Sequence, residues 1–153
     1  MKSCCIIAET SPTWQKFENS MDGDSFADKL EAIIKKQSKT NNIKTFITSL
    51  NLGIETLASE LILKVREQNN GISLECQIPY ENQAEFWSES DRIRYYNIAA
   101  DSDKAYFFSL RYYDGCIEDC YNDMIKKSDV IIITEHMAKK LSSCDASKKH
   151  IYI

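Results

Sequence analysis

Apolar and polar positions along this chain switch between a period of two and a period near 3.6, and the switches mark its elements. CCIIAE (4–9) is a short apolar run that predicts a first strand, and the TSP that follows is a turn signal. DSFADKLEAIIKKQ puts Phe26, Leu30, Ile33 and Ile34 at helical spacing, with Asp24 or Ser25 as the cap and lysines closing the last turn. KTFITSL (44–50) reads as a strand. From Gly53 onward Ile54, Leu57, Leu61 and Val65 recur every three to four residues and stop at QNNG. ISLECQIP alternates as a strand and ends at Pro79, and ENQAEFWSESDRIRYYNIAA (81–100) predicts one long amphipathic helix. That helix is expected to bury Phe86, Ile93, Tyr96 and either Tyr95 or Ile98. AYFFSL predicts a strand, CIEDCYNDMIKKS a helix, DVIIIT (129–134) a fully buried strand, HMAKKLSSC a short helix and HIYI a last strand.

The order is strand, helix, strand throughout, so the expected fold is α/β: a Rossmann-like, doubly wound, mostly parallel sheet with helices on both faces in three layers. With 153 residues and no repeat, low-complexity tract or linker, residues 1–153 are expected to form a single domain. A chain of this size buries roughly 68–70% of its unfolded surface, enough for a core without staples. Four glycines and two prolines argue for short connections.

Charge narrows the partners. Nineteen basic against 23 acidic residues give a net of −4, and no basic stripe invites a polyanion, so nucleic acid is disfavoured. The start, MKSCCIIAETSP, has too short an apolar run for a secretory segment, and no run is long enough to span a membrane. The expectation is a soluble cytoplasmic protein whose six cysteines, Cys4, Cys5, Cys76, Cys116, Cys120 and Cys144, are reduced thiols. Cys4 and Cys5 point to opposite faces of a strand, and Cys116 and Cys120 lie four apart on a helix with no His to complete a tetrahedral set. No metal and no cofactor are expected.

In a doubly wound sheet ligands bind beyond the carboxyl ends of the strands, where strand order reverses. Three turns there look chemically purposeful: AETSP, TSLNLG and PYENQ. TSLNLG offers the Thr48 and Ser49 hydroxyls with backbone amides from Leu50 to Gly53 at a helix start, which suits an anion cradle or an ordinary turn. Glu55, one turn in, either answers a ribose hydroxyl or complements the helix dipole. Tyr80, Gln83 and Trp87 fall at i, i+3 and i+7 on the expected long helix, a spacing that also describes a core stripe.

CCII, FITSLNLGIETLASEL, IPYENQAEFWSESDRIRYY, and YYDGC through MIKKSDVIII, taken in order, resemble the SLOG superfamily of Rossmann-like proteins, in its YpsA-like branch. The resemblance implies a fold that binds nucleotides or nucleotide-derived ligands, and in cytokinin-activating relatives cleaves an N-glycosidic bond. The family's T-G-x-x-x-G-x-D falls on Thr48, Ser49, Gly53 and Glu55, with Ser for the first Gly and Glu for the Asp. Its P-[FY]-x-x-Q-x-x-x-W falls intact on Pro79, Tyr80, Gln83 and Trp87. Cys116 matches the family's G-C, near the crevice, and is expected to be partly exposed.

The departures bear on function. Where relatives carry T-G-H-R-P after the first strand this chain has AETSP, and where they carry an R-N pair it has Cys120 and Tyr121. Lys126 stands at the first position of the family's D-x-S-D, with Ser128 and Asp129 retained. The branch's G-G-T helix opening is replaced by ITEHMAKK, and the hydrolases' P-G-G-x-G-T-x-x-E is absent. Glu135 would repel a phosphate there.

Three functions remain. The first is a non-catalytic module that senses or sequesters a nucleotide-derived or nucleoside-like molecule through Thr48, Ser49, Leu50, Gly53, Glu55, Pro79, Tyr80, Gln83, Trp87 and Cys116. The second is a degenerate domain that binds another protein or a second copy of itself, its eight tyrosines and two tryptophans serving as anchors. The third is a nucleoside or nucleotide hydrolase, for which Glu9, Glu55 and Glu135 are the acid–base candidates. The first reading leads, with a nucleoside-like or weakly charged ligand fitting better than a phosphate because the cationic and glycine-rich cradle parts are missing, and no catalytic residue is assigned.

Overall fold

A computed structural model describes residues 2–69, 71–141 and 147–153; Cys144 and the Asn70 of the helix stop lie outside them. Six strands, β1 (Lys2–Ile7), β2 (Ile43–Thr48), β3 (Ser73–Tyr80), β4 (Lys104–Ser109), β5 (Val130–Ile133) and β6 (Lys149–Tyr152), form one sheet in the order β4-β3-β2-β1-β5-β6. Every pairing is parallel. The helices are α1 (Trp14–Glu18), α2 (Met21–Thr40), α3 (Ile54–Gln68), α4 (Glu89–Asp101), α5 (Cys116–Lys127) and α6 (Glu135–Lys140). The chain winds outward from β1 to β4, then returns over the sheet to β5. Strand order therefore reverses between β1 and β5.

Period-two alternation along the central strands sends side chains to two separate cores. Cys4, Ile6, Phe46, Leu74, Cys76, Ile78, Val130 and Ile132 pack with α2, α3 and α4. Cys5, Ile7, Ile47, Ile131 and Ile133 pack with α5 and α6. The layers are α/β/α, as the sequence predicts, and Cys4 and Cys5 do divide between the faces. Each fully buried Ile, Leu or Phe contributes about 1.5–3 kcal/mol, which explains why β1 and β5, apolar on both faces, lie inside the sheet rather than at its edges. The five described cysteines are free and buried. Among the described residues no helix is long and apolar enough to cross a membrane, and no three His, Cys, Asp or Glu side chains cluster as a metal set would.

Two element boundaries differ from the periodic reading. The second helix begins at Met21 rather than at the Asp24 or Ser25 cap: Ser20 is the cap, its Oγ accepting the Gly23 N–H at 3.1 Å. Gly23 looks like a turn residue but sits inside the first helical turn because the end of the unpredicted α1 passes over it. A Cβ there would lie 2.1 Å from the Phe17 carbonyl oxygen. The second difference is larger. Residues 81–87 are not helical, and α4 starts only at Glu89. Gln83, Glu85 and Trp87 donate their N–H groups to the carbonyls of Tyr80, Asn82 and Ala84, three residues back, as successive turns do. Ser88 then caps α4, its Oγ accepting from the Asp91 N–H at 3.2 Å and donating to the Asp91 carboxylate at 2.8 Å. With the helix shortened, Tyr95 and Ile98 are buried, whereas Phe86, Ile93 and Tyr96 face solvent.

Candidate functional site

The TSLNLGIE turn joins β2 to α3 at the carboxyl edge of the sheet, and its geometry is dominated by Glu55. This side chain is fully buried, and four donors converge on its carboxylate. The Ser49 N–H and hydroxyl reach Oε1 at 2.8 and 2.7 Å; the Tyr121 hydroxyl and the Ala8 N–H reach Oε2 at 2.7 and 3.2 Å. Burial pushes the carboxyl up to about 7, against those four donors, which favour the ionised form. Tyr121, itself buried, is pushed upward by desolvation and then by the Glu55 charge. Glu55 thus neither complements a solvent-facing dipole nor waits for a ribose. It is the anion that the strand-end amides hold.

The rest of the turn tightens around that ion. Leu50 adopts φ +55° and Gly53 φ +114°, backbone that lets the chain double back before α3. Gly53 packs against the Trp14 ring, 3.6 Å from where a Cβ would stand, and Thr56 clasps the helix start by accepting from the Gly53 N–H and donating to its carbonyl. Thr48 is spent on the Ser59 hydroxyl at 2.8 Å. Thr48, Ser49 and Leu50 are fully buried. Direct ligand contact, expected of these side chains from sequence, gives way here to a supporting role.

The crevice where strand order reverses is laced by the chain's own groups. Asn51 donates to the Ala8 carbonyl at 3.1 Å, and the Thr10 hydroxyl bonds the Leu52 carbonyl and the Asn51 side chain at 2.8 and 3.0 Å. On the other side the Thr134 hydroxyl bonds Glu9. Glu9 and Glu135 stand at this edge, after the ends of β1 and β5.

The motif after β3 assembles differently from the helical face expected of it. Pro79 is buried in the strand, and the stacked turns bring Tyr80 and Gln83 to the wall of an open cleft of about 420 Å³. Tyr112 stands beside Tyr80 on that wall, its ring edge-on to Tyr80 with centroids 5.2 Å apart. Glu85, Phe86 and Arg111 complete the lining, so one acid and one base leave it near neutral. Desolvation raises the Tyr80 phenol, with the Cys116 thiol adding to it. Gln83 carries a buried Oε1 with no hydrogen-bond partner. Trp87 turns away from the cleft onto Tyr95, centroids 5.3 Å apart, where it packs against the core. Cys116, the first residue of α5, is fully buried, which corrects the expectation of partial exposure.

Sequence reasoning brought together Tyr80 and Gln83 but missed Arg111 and Tyr112, which lie in RYYD after the edge strand and carry no periodic signal. It also missed Tyr121 as the partner of Glu55. A second network, half-buried around Gln77, escaped it: Gln77 donates to Asp123 at 2.8 Å and accepts from Tyr106 and Lys127 at 2.7 and 3.2 Å. Its polar groups satisfy one another.

A sequence model of the family described as the YspA SLOG family matches residues 23–147. The chain is 31% identical over 103 residues to the UPF0398 protein LBA1157 of Lactobacillus acidophilus, covering 61% of this chain and 52% of that protein. It is 26% identical over 93 residues to the UPF0398 protein BH1768 of Halalkalibacterium halodurans, covering 60% of this chain and 49% of that one. The chain thus spans about half the length of the curated relatives it matches.

Proposed function

Because the chain belongs to the YpsA branch of the SLOG family, we propose that it is a non-catalytic module that binds a nucleoside-like molecule in the cleft lined by Tyr80, Gln83 and Tyr112. The observation that carries this reading is a contrast between two places at the carboxyl edge. The crevice turn spends the Ser49 and Ala8 amides on its own Glu55, whereas the cleft beside it is open, with the Tyr80 and Tyr112 rings side by side on its wall. Flat rings with one acid and one base suit a weakly charged, planar ligand better than a phosphate-rich one. Bond cleavage is not part of the proposal, because Glu55, the carboxylate of the crevice turn, is fully buried and held by four of the chain's own donors.

The test is thermal unfolding against nucleosides, nucleotides, cyclic nucleotides and ADP-ribose derivatives. A ligand at about 100 times its Kd adds roughly 2.7 kcal/mol, about 5–11 °C in Tm for a chain of this size. A nucleoside is expected to shift the native chain and to lose most of that shift in Tyr112→Ala, a substitution at a half-exposed ring. No shift from any compound, or an equal shift in Tyr112→Ala, overturns the proposal.

A further inference from the structure

Of the ten large apolar side chains exposed among the described residues, seven fall between Phe86 and Tyr113. Ile93, Tyr96 and Phe107 lie on α4 and β4, and the other four in the loops that flank them. β4 has a neighbour, β3, on one side only. The Asp103 N–H donates to the Leu74 carbonyl, so by alternation Ala105 and Phe107 turn their backbone groups toward β3, and Lys104, Tyr106 and Phe108 turn theirs to the open side. The usual protections of an edge are sparse: no proline, and Lys104 as the single charge. Alongside runs a groove of about 620 Å³, with Ile78, Ala105 and Phe107 on the sheet side and Tyr95, Tyr96 and Ala99 on the helix side.

We propose that β4 is the contact of a two-fold homodimer, pairing antiparallel with β4 of a second copy. The strand is its own complement. With the axis at Tyr106, the open backbone groups of Lys104 meet those of Phe108 in the other copy, and Tyr106 meets Tyr106, so each outward donor finds an acceptor. In the same register Phe107 faces Ala105 of the second copy, and Ala105 faces its Phe107. These are the close, non-hydrogen-bonded positions, where a large ring opposite a methyl group packs without collision. Both residues line the groove, so each Phe107 has room beside the other copy's Ala105. The arrangement is isologous and closed, and joins two sheets into one.

Sedimentation velocity across a wide concentration range tests this. The expected mass is twice the 17.6 kDa of the chain. Phe107→Glu sets a carboxylate against the facing groove, and Lys104→Pro removes an outward N–H at the first residue of an edge strand, where proline is tolerated within one copy. Neither residue lines the tyrosine cleft. Both variants are expected to sediment at half the native mass while keeping native far-ultraviolet circular dichroism. A native chain that stays at the single-chain mass at every concentration, or either variant remaining dimeric, overturns the proposal.

Discussion

Glu55 occupies a position where a phosphate-binding fold normally leaves room, and its surroundings dictate an unusual pH response. An unfolded glutamate titrates near 4.5 and this one near 7, so between those values the folded chain holds a proton that the unfolded chain has released. Stability from this group is therefore full below pH 4.5 and falls as pH rises toward 7, by on the order of 3 kcal/mol. Urea unfolding at pH 5 and pH 8 should show the native chain losing stability at the higher pH. Glu55→Gln should lose far less between the two, while being less stable at pH 5 by about 1–3 kcal/mol because an amide cannot accept from all four donors. Part of this site was legible: Ser49 and Glu55 are both read from the turn in the sequence, and they do meet. Their role was not, because a carboxylate next to a helix start looks the same in sequence whether it faces solvent or its own backbone. The deciding partner, Tyr121, comes from 66 residues away. It stands where relatives carry part of an R-N pair, so a substitution that reads as the loss of a ligand-binding group supplies an internal donor.

At the scale of elements, the segment from Glu81 to Ser88 shows what periodicity misses. Its apolar spacing continues that of α4, yet Ser88 and Asp91 form a reciprocal cap that starts the helix there. S-x-x-D was visible in the sequence and outweighs the spacing. Ser88→Ala is expected to cost about 1 kcal/mol, read as a lower Tm, with no change in the buried contact between Trp87 and Tyr95. The short α1 was illegible for a related reason: it has five residues and owes its position to aromatic packing of Trp14 and Phe17 on Phe26, not to its own pattern. All six strands were recoverable from apolar runs or alternation; β1 and β5, buried on both faces, leave least freedom in residue choice.

For the whole molecule, strand order separates two regions of the carboxyl edge. The reversal between β1 and β5 is where an open α/β sheet ordinarily binds, and here it is laced by Asn51, Thr10, Thr134 and the buried Glu55. Open volume lies instead toward β3 and β4, at the side of the molecule that also exposes most of its large apolar groups. Sequence order predicted the layers but could not give this displacement, since nothing in a linear pattern says which strand-end loops close on one another. The most direct measurement of the central claim is an amide-resolved NMR titration with adenosine. The account predicts shifts at residues 80–86 and 110–112, with the amides of Ala8, Ser49 and Glu55 unmoved. Shifts centred on Ala8, Ser49 and Glu55 would mean that the crevice still opens for ligand, and would contradict it.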